Sequence, residues 1–163
     1  MRQQRTTDMI EQTLHDAFTR ISSCDKSVLI NFLHDHLPEK NVQKENISKA
    51  IDYAVKECPS FGGYIMTVKK GNEILAATIV NSTGMDGFYA KNILVYFAAV
   101  KQYRNSLGIQ LLRETIKHVK GDISIQLPAN HPTRGLYETL GFQAEKVELK
   151  YREGKEKSVK IAS

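Results

Sequence analysis

The turn that precedes Gly108 combines cations with small polar residues directly before an amphipathic helix. Lys101 and Arg104 supply positive charge, and Asn105 and Ser106 are short and polar. A helix N-terminus exposes backbone N–H groups and the positive end of the helix dipole, so such a turn can hold a phosphate. Gly108 is, however, the single glycine of the turn, and glycine is favoured where an anion approaches the backbone. The turn is a candidate anion site, and a plain strand-to-helix connection is the alternative.

A second candidate segment runs from Asn130 to Phe142 and contains an aromatic hydroxyl. Tyr137 lies inside a predicted short helix, and its phenol, protonated at neutral pH, can serve as a general acid. A tyrosine at this position can equally be a packing residue of the helix. His131 precedes a proline at the helix start, which favours a cap or surface role over a catalytic one.

The elements before residue 60 are predicted to be helical. Apolar residues recur at helical spacing in three stretches, and a proline or glycine follows the second and the third. Asp25 is the expected N-cap of the second helix and Pro38 its end. The three predicted helices cover residues 6–21, 22–38 and 45–58.

From residue 62 onward the apolar pattern changes to the alternation of strands. Residues 64–81 form a predicted hairpin that turns at Gly71-Asn72. Residues 92–100 are apolar on both faces, which predicts a central strand, and a helix is expected from Ser106 to about Val119. A strand over 122–128, a short helix closed by Gly141 and a hairpin over 144–162 complete the prediction.

Composition indicates a single globular domain of 163 residues, with a helical part over 1–60 and a sheet part over 61–163. Two scattered cysteines and the absence of a visible secretory signal lead us to expect a cytoplasmic protein. No apolar run approaches the length of a membrane span, so no membrane partner is expected. The net charge of +5 suits an anionic ligand, but its spread along the chain argues against nucleic acid.

Taken together, the two candidate segments resemble the GNAT superfamily of N-acetyltransferases. That family shows a strand, a turn of the type Gln/Arg-x-x-Gly-x-Gly/Ala, a helix containing Leu-Leu, and later an Asn followed by Leu-Tyr-x-x-x-Gly-Phe. Here Leu111-Leu112 follows Gly108 at the family's offset, and Asn130, Leu136-Tyr137 and Gly141-Phe142 match in type and spacing. The resemblance covers roughly residues 62–151.

The resemblance implies an α/β fold of the α+β kind: a mixed, mostly antiparallel sheet with a central parallel pair and helices on both faces. It also implies an N-acetyltransferase that uses acetyl-CoA as co-substrate, without a metal, and acetylates a primary amine of a small molecule, peptide or protein by direct attack. Tyr137 would protonate the departing thiolate. The residues implied in cofactor binding are Ala98, Ala99, Val100, Arg104, Asn105, Ser106, Leu107, Gly108, Ile109 and Asn130.

The chain departs from the family pattern at two places. Ser106 occupies a glycine position of the turn, and Tyr103 falls where Gln or Arg is usual. The central strand also lacks the carboxylate that often deprotonates the amine, which leaves Tyr96, Glu73, Asp86 or a water as candidates. The alternative function is therefore a non-catalytic module of the same fold that binds CoA, a protein or nucleic acid. The sequence leaves the oligomeric state open, a homodimer included.

Overall fold

A computed structural model describes residues 9–154, and its centre is a five-stranded sheet in the order β1-β2-β3-β4-β5. Neighbouring strands are antiparallel except for β4 and β5, which are parallel. The mixed, mostly antiparallel sheet with a parallel pair is thus confirmed. The elements are β1 (Ile10–His15), α1 (Ser23–His36), α2 (Lys44–Ala54), β2 (Gly63–Lys70), β3 (Glu73–Ser82), β4 (Asn92–Ala99), a 3-10 turn (Lys101–Tyr103), a π-helical turn (Arg104–Gly108), α3 (Ile109–His118), β5 (Ile123–Ser124) and α4 (Arg134–Thr139).

The first predicted helix, over residues 6–21, is wrong, because strand β1 occupies its middle. β1 pairs antiparallel with β2 along its whole length, and the hydroxyl of Thr13 hydrogen-bonds to that of Thr67 across the pair. Asp16 then ends the strand by accepting the N–H groups of Phe18 and Thr19. Phe18, which the helical pattern would bury, is 97% exposed. Pairing with an open sheet edge has overridden a weak helical periodicity.

Helices α1 and α2 confirm the other two predicted helices, with different ends. Ser22, rather than Asp25, caps α1, since its hydroxyl accepts the N–H of Asp25. The prediction that α2 reaches residue 58 is wrong, because the helix ends at Ala54 and Lys56 adopts a left-handed φ of 59°.

Two hydrophobic cores lie on opposite faces of the sheet, which agrees with the predicted helices on both faces. The alternation of β2 and β3 divides the core between them: Ile65 and Ile79 face one side, and Met66 and Val80 face the other. Helices α1 and α2 cover the first side with Leu29, Leu33, Ile47 and Ile51, and α3 and α4 cover the second with Leu111, Leu112 and Tyr137. No helix within residues 9–154 is long and apolar enough to cross a membrane.

The C-terminal part of the sheet is shorter than predicted. The strand expected over 122–128 pairs with β4 only at Ile123 and Ser124. The first arm of the expected last hairpin, residues 144–152, forms no strand, and its second arm, residues 157–162, lies outside the described residues. The hairpin of β2 and β3, the central strand β4 and the short helix closed by Gly141 are all found as predicted.

Candidate functional site

A cleft opens where β4 and β5 separate. The two strands pair only at Asn92↔Ile123 and Ile93↔Ser124, while β4 continues to Ala99. On its other side β4 stays paired with β3, and the N–H of Val100 donates to the carbonyl of Leu75 just beyond the strand end. Strand alternation therefore turns the backbone groups of Ala99 and Phe97 toward the cleft. Of the three expected backbone partners of the cofactor arm, Ala99 faces the cleft.

The candidate phosphate turn has an unusual backbone. A 3-10 turn passes into a π-helical turn and then into α3, and π-helical turns are frequent at functional sites. The N–H of Arg104 already donates to the carbonyl of Lys101, and that of Ile109 donates to the carbonyls of Arg104 and Ser106. The stretch between these two residues is therefore the part of the turn that could meet an anion.

Gly108 serves packing in this turn. Its φ is −63°, an ordinary helical value. A Cβ built on Gly108 would come within 3.2 Å of both the Ala99 Cβ and the Phe97 ring. The glycine therefore lets the helical turn lie directly on β4, and it brings the turn to the end of the strand that borders the cleft.

A groove of about 390 Å³ lies between this turn and α4. It carries two guanidinium groups, those of Arg104 and Arg113, and neither has an ion-pair partner within residues 9–154. Two cations without partners make the groove attractive to phosphate groups. The groove is lined by Arg104, Asn105, Ile109, Arg113, Pro132, Thr133, Gly135, Leu136, Thr139 and Leu140.

The other predicted cofactor residues take varied positions. Ser106 is exposed and donates its hydroxyl to the Tyr103 carbonyl, and Leu107 packs partly buried against the second core. Asn130 is exposed in the turn before α4 and lines neither the groove nor the cleft cavity.

Tyr137 lines the cleft between β4 and residues 125–127. Its side chain is 6% exposed and packs edge-on against the rings of Phe97 and Phe142, at centroid distances of 6.3 and 5.8 Å. Phe142 is held there by its N–H, which donates to the Tyr137 carbonyl at the end of α4. Burial, and then the charge of Glu39, raise the pKa of the Tyr137 phenol above its usual range, whereas a hydrogen bond to Thr133 lowers it. The phenol is thus held protonated at neutral pH.

The cleft contains a cavity of about 30 Å³ beside Tyr137. It is lined by residues 37–39 of the loop after α1, residues 94–97 of β4, residues 125–127, His131 and Tyr137. Four of these side chains, from separate parts of the chain, are ionisable groups: Glu39, Tyr96, His131 and Tyr137.

Glu39 is the group that sequence reasoning missed. Its Oε1 lies 3.0 Å from Nε2 of His131, a side chain that is 6% exposed. His131 is buried rather than at the surface, and at the start of α4 its Nδ1 is 2.6 Å from the Thr133 hydroxyl and accepts the Thr133 N–H at 3.2 Å. No local motif marks Glu39 in the sequence. The one available signal is Pro38, which ends α1 and directs the next residue out of the helix.

Of the three side chains that the sequence suggested as the general base, one lies in the cavity and two lie outside it. Tyr96 lines the cavity, and burial together with Glu39 raises its pKa. Glu73 is exposed at the start of β3, and Asp86 is exposed in the loop before β4. Within residues 9–154, no three His, Cys, Asp or Glu side chains gather in the manner of a metal site.

No protein-family model and no curated protein matches this chain. Solved structures do match. A putative GNAT-family acetyltransferase from Desulfovibrio desulfuricans aligns with a TM-score of 0.65 at 16% identity, over 85% of this chain and 87% of that one. A transcriptional regulator from Bacillus halodurans gives 0.61 at 18% identity, over 87% and 99%. An aminoglycoside N-acetyltransferase in complex with CoA gives 0.61 at 9% identity, over 90% and 97%.

The mixed sheet, the parallel pair that separates beside a helical turn and these structural matches lead to one conclusion: the chain has the fold of the GNAT acetyltransferases.

Proposed function

We propose that this chain is an acetyl-CoA-dependent N-acetyltransferase that acts on a primary amine of a small molecule, peptide or protein. The observation that carries the proposal is the position of Tyr137, a buried phenol that lines the cleft between β4 and the 125–127 segment.

The groove and the open edge of β4 provide consecutive binding regions for acetyl-CoA. Its phosphates would meet Arg104 and Arg113 in the groove. Its extended arm would pair with the backbone of Ala99, as an added strand does. The thioester carbonyl would then accept a backbone N–H on the cleft side of β4, which stabilises the oxyanion that forms on attack.

Tyr137 would act on the sulfur of the cofactor. As the amine attacks the acetyl carbon, the C–N bond forms and the C–S bond breaks, and the electron pair of that bond moves to sulfur. A phenol beside the sulfur stabilises this charge by donating a hydrogen bond and delivers the proton that completes the thiol. The raised pKa of Tyr137 keeps the donor protonated, and it makes the hydrogen bond to the developing charge the larger part of the effect.

The cleft has to widen for this reaction, since a cavity of about 30 Å³ holds about one water molecule. Residues 125–127 form no strand pairing with β4. This segment is therefore able to move aside at little cost in hydrogen bonds when the acetyl group enters.

The proposal is tested first by binding and then by substitution. Acetyl-CoA should raise the melting temperature by an amount that grows with its concentration, because only the folded state holds the cofactor site. Acetylation should then be measured by mass spectrometry on an aminoglycoside, a polyamine, and peptides with free N-terminal and lysine amines.

Tyr137→Phe separates catalysis from binding. We expect kcat to fall about 100-fold, because the donor to the sulfur is lost, while the Kd for acetyl-CoA changes little. Tyr53→Phe is the matched control: it removes a hydroxyl that donates to the Ser82 carbonyl and lies outside the groove and the cleft cavity, so it should leave kcat unchanged. Unchanged turnover in Tyr137→Phe would refute the role given to this phenol.

The alternative, a non-catalytic module, is favoured by the small size of the cavity and by the serine at a glycine position of the turn. It predicts that acetyl-CoA or another ligand binds while none of the amines is acetylated. Binding to nucleic acid that weakens steeply with salt would indicate the nucleic-acid form of this alternative.

A further inference from the structure

The loop after α1 brings a carboxylate into the cleft. Leu37 is the C-terminal cap of α1 and Pro38 follows it, so the chain leaves the helix axis and crosses toward β4. Glu39 thereby lines the cavity opposite Tyr137, although the two residues are far apart in sequence. Tyr96 and Tyr137 line the same cavity, and the charge of Glu39 contributes to raising the pKa of both phenols.

Two polar atoms of this cavity lack a hydrogen-bond partner among the described residues. Oε2 of Glu39 is buried without one, and so is Nε2 of His131. Nε2 lies 3.0 Å from Oε1 of Glu39, but the two atoms are not aligned as a hydrogen bond requires. A buried carboxylate oxygen without a donor costs about 1–3 kcal/mol or more, so a donor from a ligand would be stabilised there.

The tautomer of His131 follows from its other nitrogen. Nδ1 accepts the backbone N–H of Thr133, and so in the neutral imidazole the proton is on Nε2, toward Glu39. The Thr133 hydroxyl contacts Nδ1 at 2.6 Å and also interacts with the Tyr137 hydroxyl. Glu39, His131, Thr133 and Tyr137 are therefore neighbours, and all but Thr133 line the cavity.

We propose that Glu39 is the general base of the transfer, with its free Oε2 receiving the attacking amine, and that His131 is the positioning residue that orients this carboxylate. The inference rests on the proposed acetyltransferase function and supplies the base that β4 lacks. A carboxylate at this place also fits an amine acceptor, because its oxygen accepts the N–H of the neutral amine that attacks.

The proton balance of the transfer closes over one turnover. As the C–N bond forms, the amine nitrogen becomes strongly acidic and its proton passes to Oε2 of Glu39. The sulfur takes a proton from Tyr137. Glu39 then releases its proton to water and the phenolate takes one from water, so the amine and the thioester become an amide and a thiol with no other reactant.

The test uses Glu39→Gln, which keeps the shape of the side chain and removes its basicity. We expect kcat/KM for whichever amine of the panel above is acetylated to fall at least about 100-fold, while the acetyl-CoA-induced rise in melting temperature is retained. Glu45→Gln, the same substitution at an exposed position of α2, should change neither quantity. Glu39→Gln activity within threefold of the unsubstituted protein would overturn the inference.

Two further variants separate catalysis from structure. Glu39→Ala should regain part of its activity in the presence of formate, a small carboxylate that can occupy the vacated space. His131→Gln keeps an N–H near the position of Nε2 and should retain more activity than His131→Ala. Activity that is lost in Glu39→Ala and is not restored by formate would show a structural role and overturn the assignment.

The two proposals fail in different ways. A protein that binds acetyl-CoA but acetylates no amine of the panel would contradict the acetyltransferase function and this inference together. A protein that acetylates an amine with Glu39→Gln as active as the original would contradict the base alone.

Discussion

Gly108 was predicted to make room for a phosphate, whereas in the structure it makes room for side chains of β4. The sequence interpretation placed it in a phosphate turn, where glycine makes room for an anion. In the structure its helical φ and its closeness to Ala99 and Phe97 show that it makes room for β4. The side chains that approach Gly108 come from another element, β4, and therefore leave no signal in the local sequence.

Gly108→Ala should therefore destabilise the protein. The methyl group would press on Ala99 and Phe97, and overpacking of this kind costs about 1–3 kcal/mol, against a gain of up to about 1 kcal/mol in helix propensity. We expect a net loss of about 1 kcal/mol in urea unfolding. Gly135→Ala is the control, since a Cβ there meets nothing within 4 Å. Equal stabilities of the two variants would contradict the packing role.

Glu39 and Tyr137 differ in how visible they are in the sequence. Tyr137 belongs to a spaced motif on one helix, so its position could be predicted from the sequence. Glu39 enters the site only because the loop after α1 folds over β4, and that placement depends on tertiary packing. The catalytic roles of both residues stay predictions until activity is measured.

At the scale of elements, the groove is a joint product of the turn before α3 and of α4. Arg104 comes from the turn and Arg113 from α3 itself, while Thr133 is the N-cap residue of α4 and Leu136 lies within it, so no single element forms the groove. The sequence predicted the two elements and their order. It did not predict the π-helical turn, which depends on how closely the helix can approach β4.

Arg104→Ala and Arg113→Ala test whether this groove holds the phosphates of acetyl-CoA. Each substitution should weaken binding about tenfold, since a hydrogen bond to a charged group contributes about 1.5–3 kcal/mol. The affinity of each variant should also depend less on salt concentration. Lys117→Ala, which removes a cation from the exposed C-terminal end of α3, serves as the control in isothermal titration. Equal effects from all three would indicate general attraction by net charge.

Strand β1 was missed for a physical reason that applies to edge strands in general. Its residues are half-exposed, so the alternation of apolar and polar side chains is weak, and chance apolar spacing resembles a helix. The hydrogen bonds offered by the free edge of β2 decide the outcome, and a single sequence does not display that edge.

At the scale of the whole molecule, both cores share strands β2, β3 and β4, so we expect a single unfolding transition.

The buried phenols of Tyr96 and Tyr137 make the free energy of unfolding depend on pH. Burial is the main cause that raises the pKa of each in the folded state above the unfolded value of about 10. Their contribution to stability is complete below that pH and is lost as the pH rises toward the folded values.

The melting temperature should therefore fall at alkaline pH, and Tyr137→Phe should make the fall less steep. Above pH 10 one retained proton corresponds to about 1.4 kcal/mol of unfolding free energy per pH unit. Calorimetry of both proteins between pH 8 and pH 11 measures the difference in slope. Identical slopes would show that the phenol is accessible to hydroxide in the folded protein.

Because β4 and β5 pair at only two residues each, a bound ligand would change the hydrogen bonding of β4. The amides of Phe97 and Ala99 are turned toward a side where no strand covers them. A cofactor arm laid along this side would take the place of the missing neighbour and close the ladder. Occupancy would then make the middle of the sheet slower to exchange its amide hydrogens, and the sheet would be complete only while the cofactor is bound.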